Sequence, residues 1–208
     1  EVAEAVLEAG CADMVSMARP FLADPNFMKK AISGYEKKIA PCIACNQACL
    51  DHTFSGKISS CLVNPKACFE TELISTKALN KKSVAVVGAG PAGMSAAIEA
   101  AERGHQVTLF EKAQAVGGQL NLAKMVPGKE EFWGLVDWFE EMLNTSGVDV
   151  RLGKTVTSAD VMGFDEVVVG AGVGARDPKI KGQEKNNVVS YAEVLKREEK
   201  IGQKVAVV

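Results

Sequence analysis

The residues best suited to chemistry are cysteines, and four of them lie close together in the chain. The sequence of 208 residues contains six cysteines, at positions 11, 42, 45, 49, 61 and 68. Cys42, Cys45 and Cys49 follow the pattern C-x2-C-x3-C, and eleven residues separate Cys49 from Cys61. Three thiolates on one tight loop and a fourth on the next segment can converge on one site, as the ligands of an iron–sulfur cluster do.

Two other interpretations of these cysteines stay open. Structural zinc sites usually combine two short C-x2–4-C pairs, whereas Cys61 and Cys68 are separated by six residues. Disulfides are typical of secreted proteins, and the chain shows no signal-peptide pattern. The spacing therefore favours an iron–sulfur cluster held by Cys42, Cys45, Cys49 and Cys61, with zinc or disulfides as alternatives.

A second motif, Gly88-Ala-Gly90-Pro-Ala-Gly93, has the spacing of a dinucleotide-binding turn. It lies between a predicted apolar strand at 84–87 and a predicted helix at 94–103, which is the context that such a turn requires. The first glycine permits the bend, the second lets the backbone approach a diphosphate, and the third allows close packing of helix and strand. The N-terminus of the helix offers unpaired N–H groups to that diphosphate.

Glu111 directly follows the next predicted strand, 107–110, and lies 23 residues after Gly88. A carboxylate in this place accepts hydrogen bonds from the ribose of a dinucleotide. The continuation Glu111-x5-Gly117-Gly118-Gln119 and the segment 165–172 resemble flavoproteins with two dinucleotide domains, which indicates FAD rather than NAD. Those proteins usually have Ala-Thr-Gly where this chain has Gly170-Ala171-Gly172, so a hydroxyl group is absent there.

Hydrophobic periodicity predicts the helices and strands that position these motifs. Residues 1–40 alternate helical and strand patterns, with a strand at 13–16 and a helix capped by Asp24 that begins at Pro25. Residues 41–80 show little hydrophobic periodicity, so this segment needs a bound metal centre or another cross-link to stabilise it. Further elements are predicted as helices at 130–145 and 192–200 and strands at 148–152 and 166–169. The segment 204–208 repeats the strand that precedes the glycine turn.

Composition excludes several classes of protein. With 47% hydrophobic and 24% charged residues, the chain is an ordinary globular protein rather than a disordered one. A net charge of −2 argues against a nucleic-acid partner. The longest uncharged run, residues 83–98, has 16 residues and falls short of the roughly 20 that span a bilayer. Both ends look cut, so we expect more of the same polypeptide on either side.

These motifs, in this order, resemble the modular flavin and iron–sulfur oxidoreductases that join an old-yellow-enzyme barrel to an FAD- and NAD(P)-binding reductase, as in trimethylamine dehydrogenase. Within that family the resemblance is strongest to NADPH-dependent 2,4-dienoyl-CoA reductases, and it covers essentially the whole chain. It is carried by five segments: MVSMARPFLAD at 14–24, CIACNQAC at 42–49, SCLVNP at 60–65, GAGPAG at 88–93 and PGKEEF at 127–132.

The resemblance implies an α/β fold in four parts. Residues 1–40 would be the C-terminal end of an FMN-binding TIM barrel and 41–80 the iron–sulfur segment. Residues 81–202 would form a Rossmann-like FAD-binding domain, and 203–208 would begin an NAD(P)-binding domain. Ala18 and Arg19 would hold the FMN phosphate. Positions that would contact FAD, besides the three motif glycines, are Ala92, Glu111, Lys112, Gln119, Lys129 and Val156.

The resemblance also implies a cytoplasmic reductase. NADPH would give a hydride to FAD, a 4Fe-4S cluster would carry single electrons, and FMN would reduce a C=C bond of an unsaturated acyl-CoA such as 2,4-dienoyl-CoA. The family's proton-donating Tyr and His have no counterpart here, so we expect no catalytic residue in these 208 residues. Alternatives are a related enoate reductase or amine dehydrogenase, or a non-catalytic electron-transfer module with FAD and a cluster.

Overall fold

The chain divides into two compact units, Glu1–Ile74 and Ser75–Val208. The structure is a computed structural model that describes residues 2–196 and 201–208. The division places the predicted barrel end in one unit with most of the cysteine segment. Within the described residues, no helix is both long enough and apolar enough to cross a membrane.

The first unit consists of short helices joined by irregular segments. Its elements are α1 (Val2–Glu8), α2 (Arg19–Ala23), α3 (Phe27–Ile32), a 3-10 turn (Glu36–Lys38) and α4 (Leu50–Phe54). α1 ends at Glu8, and Gly10, two residues later, has a φ of 66°, the left-handed conformation that is common just after helices. Residues 41–74 contain only α4, in agreement with the predicted lack of periodicity.

The strand predicted at 13–16 is wrong. Those residues are irregular, and the Met14 side chain is 81% exposed. A strand needs a neighbour to bond its N–H and C=O groups, and no segment among residues 2–196 and 201–208 pairs with this one. The assignment of residues 1–40 to a barrel stays a prediction.

The second unit is built on a parallel sheet of four strands. They are β1 (Ser83–Val87), β2 (Gln106–Phe110), β3 (Asp149–Arg151) and β4 (Glu166–Val169). The order across the sheet is β3-β2-β1-β4, and each neighbouring pair is parallel. This is the order of the first four strands of a Rossmann fold, 3-2-1-4. The α/β prediction is therefore confirmed, and every strand lies within one residue of its predicted limits.

Helices cover the central strands. They are α5 (Pro91–Glu102), α6 (Leu120–Ala123), α7 (Glu131–Ser146), α8 (Ser158–Val161) and α9 (Tyr191–Lys196). α5 packs against β1 and β2, and α7 packs against α5, so Met94, Leu109 and Leu143 are fully buried. Of the helix predicted at 192–200, residues 197–200 lie outside the described part of the chain.

Two apolar segments remain without the burial that their sequences suggest. The valines of β4, a strand at the edge of the sheet, are exposed, Val169 by 73%. Residues 204–208 form no strand in the structure. Their assignment to a second dinucleotide-binding domain stays a prediction.

The turn between β1 and α5 depends on contacts that only glycine allows. A Cβ atom at Gly93 would lie 1.8 Å from the carbonyl oxygen of Gly88, and one at Gly88 would lie 2.5 Å from that of Gly170. Gly88 also has a φ of 101°, which side chains disfavour. A Cβ at Gly170 would meet the Gly93 backbone at 3.1 Å. The three glycines thus let β1, α5 and the end of β4 meet backbone to backbone.

We expect Gly93→Ala to destabilise the second unit by about 1–3 kcal/mol, since the added methyl group overpacks the turn. Gly134→Ala is the matched control, because Gly134 is also helical but a Cβ there has no neighbour within 4 Å. That control should gain about 0.5–1 kcal/mol from helix propensity. Denaturant unfolding of both variants measures the difference, and equal stabilities would contradict the close contact.

Candidate functional site

Four thiols line one cavity in the first unit. Cys42, Cys45, Cys49 and Cys61 all contribute to its wall. The other residues that line it are Arg19, Leu22, Ile43, Asn46, Ala48 and Leu62. All six cysteines are free thiols, and Cys11 and Cys68 are exposed. The structure therefore brings together the four cysteines that the spacing singled out.

The donor set of this cavity fits the predicted cluster. Cysteine thiolates are the ligands of iron–sulfur clusters, and each thiolate of a four-iron cube binds a different iron atom. Among residues 2–196 and 201–208, no three His, Cys, Asp or Glu side chains are grouped closely enough to hold one metal ion. A cluster does not require such a group, because its thiolates bind separate iron atoms. The four thiols share a cavity lined in part by aliphatic side chains.

The loop that carries three of the thiols turns twice through left-handed conformations. Ala44 has a φ of 51° and Asn46 a φ of 59°, which is uncommon for residues other than glycine. Asn adopts this conformation more readily than most residues. These two turns fold the C-x2-C-x3-C segment back on itself, so that its thiols reach the same cavity.

Hydrogen bonds join this loop to the segment before Cys61. The carbonyl oxygen of Cys49 accepts bonds from the hydroxyl groups of Thr53 at 2.9 Å and Ser59 at 3.2 Å. The backbone N–H of Ser60 donates to the carbonyl oxygen of Ala48 at 2.7 Å. The fourth thiol is thus held beside the first three by the backbone that precedes it.

Asp24 makes more contacts than its predicted role as a helix cap requires. Its carboxylate is 3% exposed and accepts hydrogen bonds from the backbone N–H of Ala40 at 2.9 Å and from the Lys30 ammonium group at 2.5 Å. It also accepts from the N–H of Asn26 at 2.9 Å, and α3 begins at Phe27, two residues later than predicted. Asp24 therefore anchors the chain two residues before Cys42.

Two asparagines that sequence reasoning passed over tie the cysteine segment to α2. Arg19 donates from Nη1 to Oδ1 of Asn46 at 3.1 Å, and Asn64 donates from Nδ2 to the carbonyl oxygen of Leu22 at 2.9 Å. Both lie inside the segments that carry the family resemblance, but neither has a spacing that indicates chemistry. Ala18 is exposed at the N-cap of α2, and its carbonyl oxygen accepts a hydrogen bond from the N–H of Phe21. The FMN contacts of Ala18 and Arg19 stay predictions.

The second candidate site lies at the carboxyl ends of β1 and β2. Glu111 is 8% exposed, and its carboxylate accepts hydrogen bonds from the N–H groups of Ala89 at 2.7 Å and Ala113 at 2.8 Å. A carboxylate has about four acceptor positions, so hydroxyl groups of a ligand can still bind. Glu111 is thus joined to the glycine turn, and its predicted contact with a ribose stays a prediction.

The glycine turn leaves room for a ligand at Gly90. A Cβ atom there would have no neighbour within 4 Å, although φ and ψ of −77° and 177° would permit a side chain. The first backbone bond of α5 runs from the N–H of Met94 to the carbonyl of Gly90, and Ala92 is exposed in the first turn. This open space beside amide donors fits a diphosphate group.

The paired glycines that follow pack on the same turn. The N–H of Gly117 donates to the carbonyl of Ala89 at 2.8 Å, and a Cβ at Gly118 would lie 2.9 Å from Cα of Gly90. Gln119 donates from Nε2 to the carbonyl of Val173 at 2.8 Å. The structure therefore brings the segment after Glu111 back to the turn and joins it to the loop after β4.

The other predicted FAD contacts are less closely tied to this turn. Lys112 is exposed, and Val156 is half-buried in the segment before α8. A capping box of Thr157 and Asp160 starts α8, and the hydrogen bond from Lys154 holds the pKa of Asp160 well below its usual range. Lys129 is exposed, with its ammonium group 5.8 Å from the centre of the Phe132 ring. Their contacts with FAD stay predictions.

Comparison with known proteins also assigns most of the second unit to a family of nucleotide-dependent oxidoreductases. Residues 82–208 match the family model described as pyridine nucleotide-disulphide oxidoreductase. A metal reductase of Desulforamulus reducens is 38% identical over 100% of this chain and 32% of its own length. An NADH oxidase of Thermoanaerobacter brockii is 44% identical over 92% of this chain and 30% of its own length. The chain spans about a third of these relatives.

A solved structure extends the similarity to both units. The complex of 2-naphthoyl-CoA reductase with 2-naphthoyl-CoA is 33% identical and matches with a TM-score of 0.93. The match covers 97% of this chain and 31% of that protein. The cysteine segment and the glycine turn therefore both lie within the region of similarity.

Gly90→Ala separates ligand binding from folding. We expect its free energy of unfolding to stay within about 0.5 kcal/mol of the parent, since the methyl group meets no atom within 4 Å. If the diphosphate of FAD lies at Gly90, FAD affinity should fall about tenfold or more, because the methyl group would take up part of that space. Flavin fluorescence titration measures this with Gly134→Ala as control, and unchanged affinity would refute the assignment.

Proposed function

Because the chain belongs to the pyridine nucleotide-disulphide oxidoreductase family, we propose that it is the cofactor-binding part of a flavin and iron–sulfur reductase. Its relatives are oxidoreductases, so a flavin-dependent enzyme of the old-yellow-enzyme and trimethylamine dehydrogenase family is supported. The proposed reaction uses NADPH, FAD, a 4Fe-4S cluster and FMN to reduce a conjugated C=C bond of an unsaturated acyl-CoA.

The observation that carries this proposal is the cavity shared by Cys42, Cys45, Cys49 and Cys61. A flavin domain alone would need no such cavity. A cluster exchanges one electron at a time, whereas FAD and FMN exchange either one or two, which is the chemistry that these groups supply when bound. The thiols would hold the cluster, and the hydrogen bonds of the Cys49 carbonyl would keep their loop in place.

The residues around the glycine turn would each contact a different part of FAD. Gly90 and Ala92 would accommodate the diphosphate at the start of α5, where amide N–H groups and the helix dipole favour an anion. Glu111 would accept hydrogen bonds from the ribose while its other bonds to Ala89 and Ala113 keep the carboxylate in one orientation. Gln119 would stand at the flavin end, close to Gly118 and Val173.

Two similarities support a class of substrate, one to a solved structure and one to the 2,4-dienoyl-CoA reductases. The similar solved structure is a complex with 2-naphthoyl-CoA. This compound is an acyl-CoA whose carbonyl group is conjugated to carbon–carbon double bonds. The resemblance to 2,4-dienoyl-CoA reductases points to the same chemical class. We therefore propose a conjugated acyl-CoA as electron acceptor and NADPH as donor.

Metal analysis tests the cluster. The whole protein, purified without oxygen, should contain about four irons and four labile sulfides at this site. Cys45→Ser should lose most of that iron and sulfide, whereas Cys68→Ser should keep it because Cys68 is exposed and does not line the cavity. Stoichiometric zinc with iron near zero would refute the cluster and leave a zinc-binding structural segment.

Substrate-dependent oxidation of the nucleotide tests the reaction. The whole protein should oxidise NADPH without oxygen when 2,4-dienoyl-CoA is added, at roughly 1–1000 turnovers per second, and should not respond to a saturated acyl-CoA. The same assay with NADH compares the two donors. Flavin reduction by dimethylamine without dienoyl-CoA turnover would indicate an amine dehydrogenase. No reaction with either would indicate an electron-transfer module.

A further inference from the structure

Arg19 occupies an unexpected place, on the wall of the cysteine cavity. Sequence resemblance assigns Arg19 to a phosphate group, yet its guanidinium donates to Asn46, between Cys45 and Cys49. The hydrogen bond uses one of the five N–H donors of the guanidinium. A side chain outside the cysteine segment therefore reaches into the loop that carries three of the thiols.

This contact belongs to a set of three that fasten the cysteine segment to α2 and its C-terminus. Asp24 bonds to Ala40 before the first thiol, and Arg19 bonds to Asn46 between the second and third. Leu22 accepts from Asn64 after the fourth thiol. Each contact joins a different part of the segment to residues 19–24, so this stretch is tied to the chain before, between and after the four thiols.

Arg19 also differs in charge from everything else that lines the cavity. Apart from the thiols, the lining residues that the structure describes are Leu22, Ile43, Asn46, Ala48 and Leu62, all of them uncharged. A guanidinium group keeps its charge throughout the accessible pH range. A positive charge stabilises the more negative, reduced state of a neighbouring redox centre, so it raises the reduction potential of that centre.

We propose that Arg19 is a positioning residue of the cysteine site that holds its loop through Asn46 and raises the reduction potential of the bound cluster. The inference rests on the proposed function, since it concerns a cluster at these thiols. It assigns to Arg19 a role beside the predicted contact with FMN.

Four variants of the whole protein test the proposal. Arg19→Met removes the charge but keeps an unbranched apolar stem, and Arg19→Lys keeps the charge without the planar fork. Asn46→Ala removes the acceptor and leaves the charge. Lys29→Met is the matched control, because it removes one positive charge at an exposed position outside the cavity. Redox titration followed by electron paramagnetic resonance measures the cluster potential, and iron and FMN contents are measured alongside.

We expect a lower potential in Arg19→Met than in the parent, partial recovery in Arg19→Lys, and no change in Lys29→Met. Hydrogen exchange at residues 42–49 should be faster in both Arg19→Met and Asn46→Ala than in Lys29→Met. A further supporting result is that Arg19→Met binds no iron while Arg19→Lys binds it. The positive charge would then be needed for the cluster to assemble.

Three results would overturn the inference. The first is an Arg19→Met cluster with the potential and hydrogen exchange of Lys29→Met. The second is loss of FMN alone with the potential unchanged, which would leave Arg19 only its phosphate role. The third is a parent protein without iron, which would overturn the proposed function as well. Iron content of the parent therefore separates failure of the inference from failure of the function.

Discussion

Backbone contact among Gly88, Gly93 and Gly170 is the constraint on which the second unit depends. A Cβ atom at Gly93 or Gly88 would lie 1.8 or 2.5 Å from a carbonyl oxygen, so β1, α5 and the end of β4 meet only because these positions carry no side chain. In the same turn, a Cβ atom at Gly90 would have no neighbour within 4 Å. The turn thus combines close packing at two glycines with open space at a third, where a diphosphate could lie.

The first unit is held together in a different way. It has no sheet within residues 2–74, and its order comes from polar side chains that bond to backbone groups far away in sequence. Asp24 is the most buried of these, and its ion pair with Lys30 and its bond to Ala40 satisfy a carboxylate that would otherwise be costly to bury. Such a scaffold places thiols accurately without a large apolar core.

The two sites suit an oxidoreductase because each leaves its reactive groups accessible from a rigid frame. At the cysteine cavity, the hydroxyl groups of Thr53 and Ser59 hold the carbonyl of Cys49 and leave the thiols to face the cavity. At the glycine turn, Glu111 is fixed by two amide bonds and retains acceptor capacity. In both places the protein supplies position and charge, and bound cofactors would supply the redox chemistry.

The sequence by itself determined the parallel α/β unit, the grouping of Cys42 to Cys61, and the place of Glu111, because periodicity and spacing are local properties of the chain. It misplaced the start of α3 and predicted a strand at 13–16, since strand formation needs a partner that local pattern does not reveal. Only the tertiary structure decided the roles of Arg19, Asp24, Asn46 and Asn64, whose contacts join residues 16 to 42 positions apart. Such contacts follow from how the chain folds back on itself, and no spacing rule encodes them.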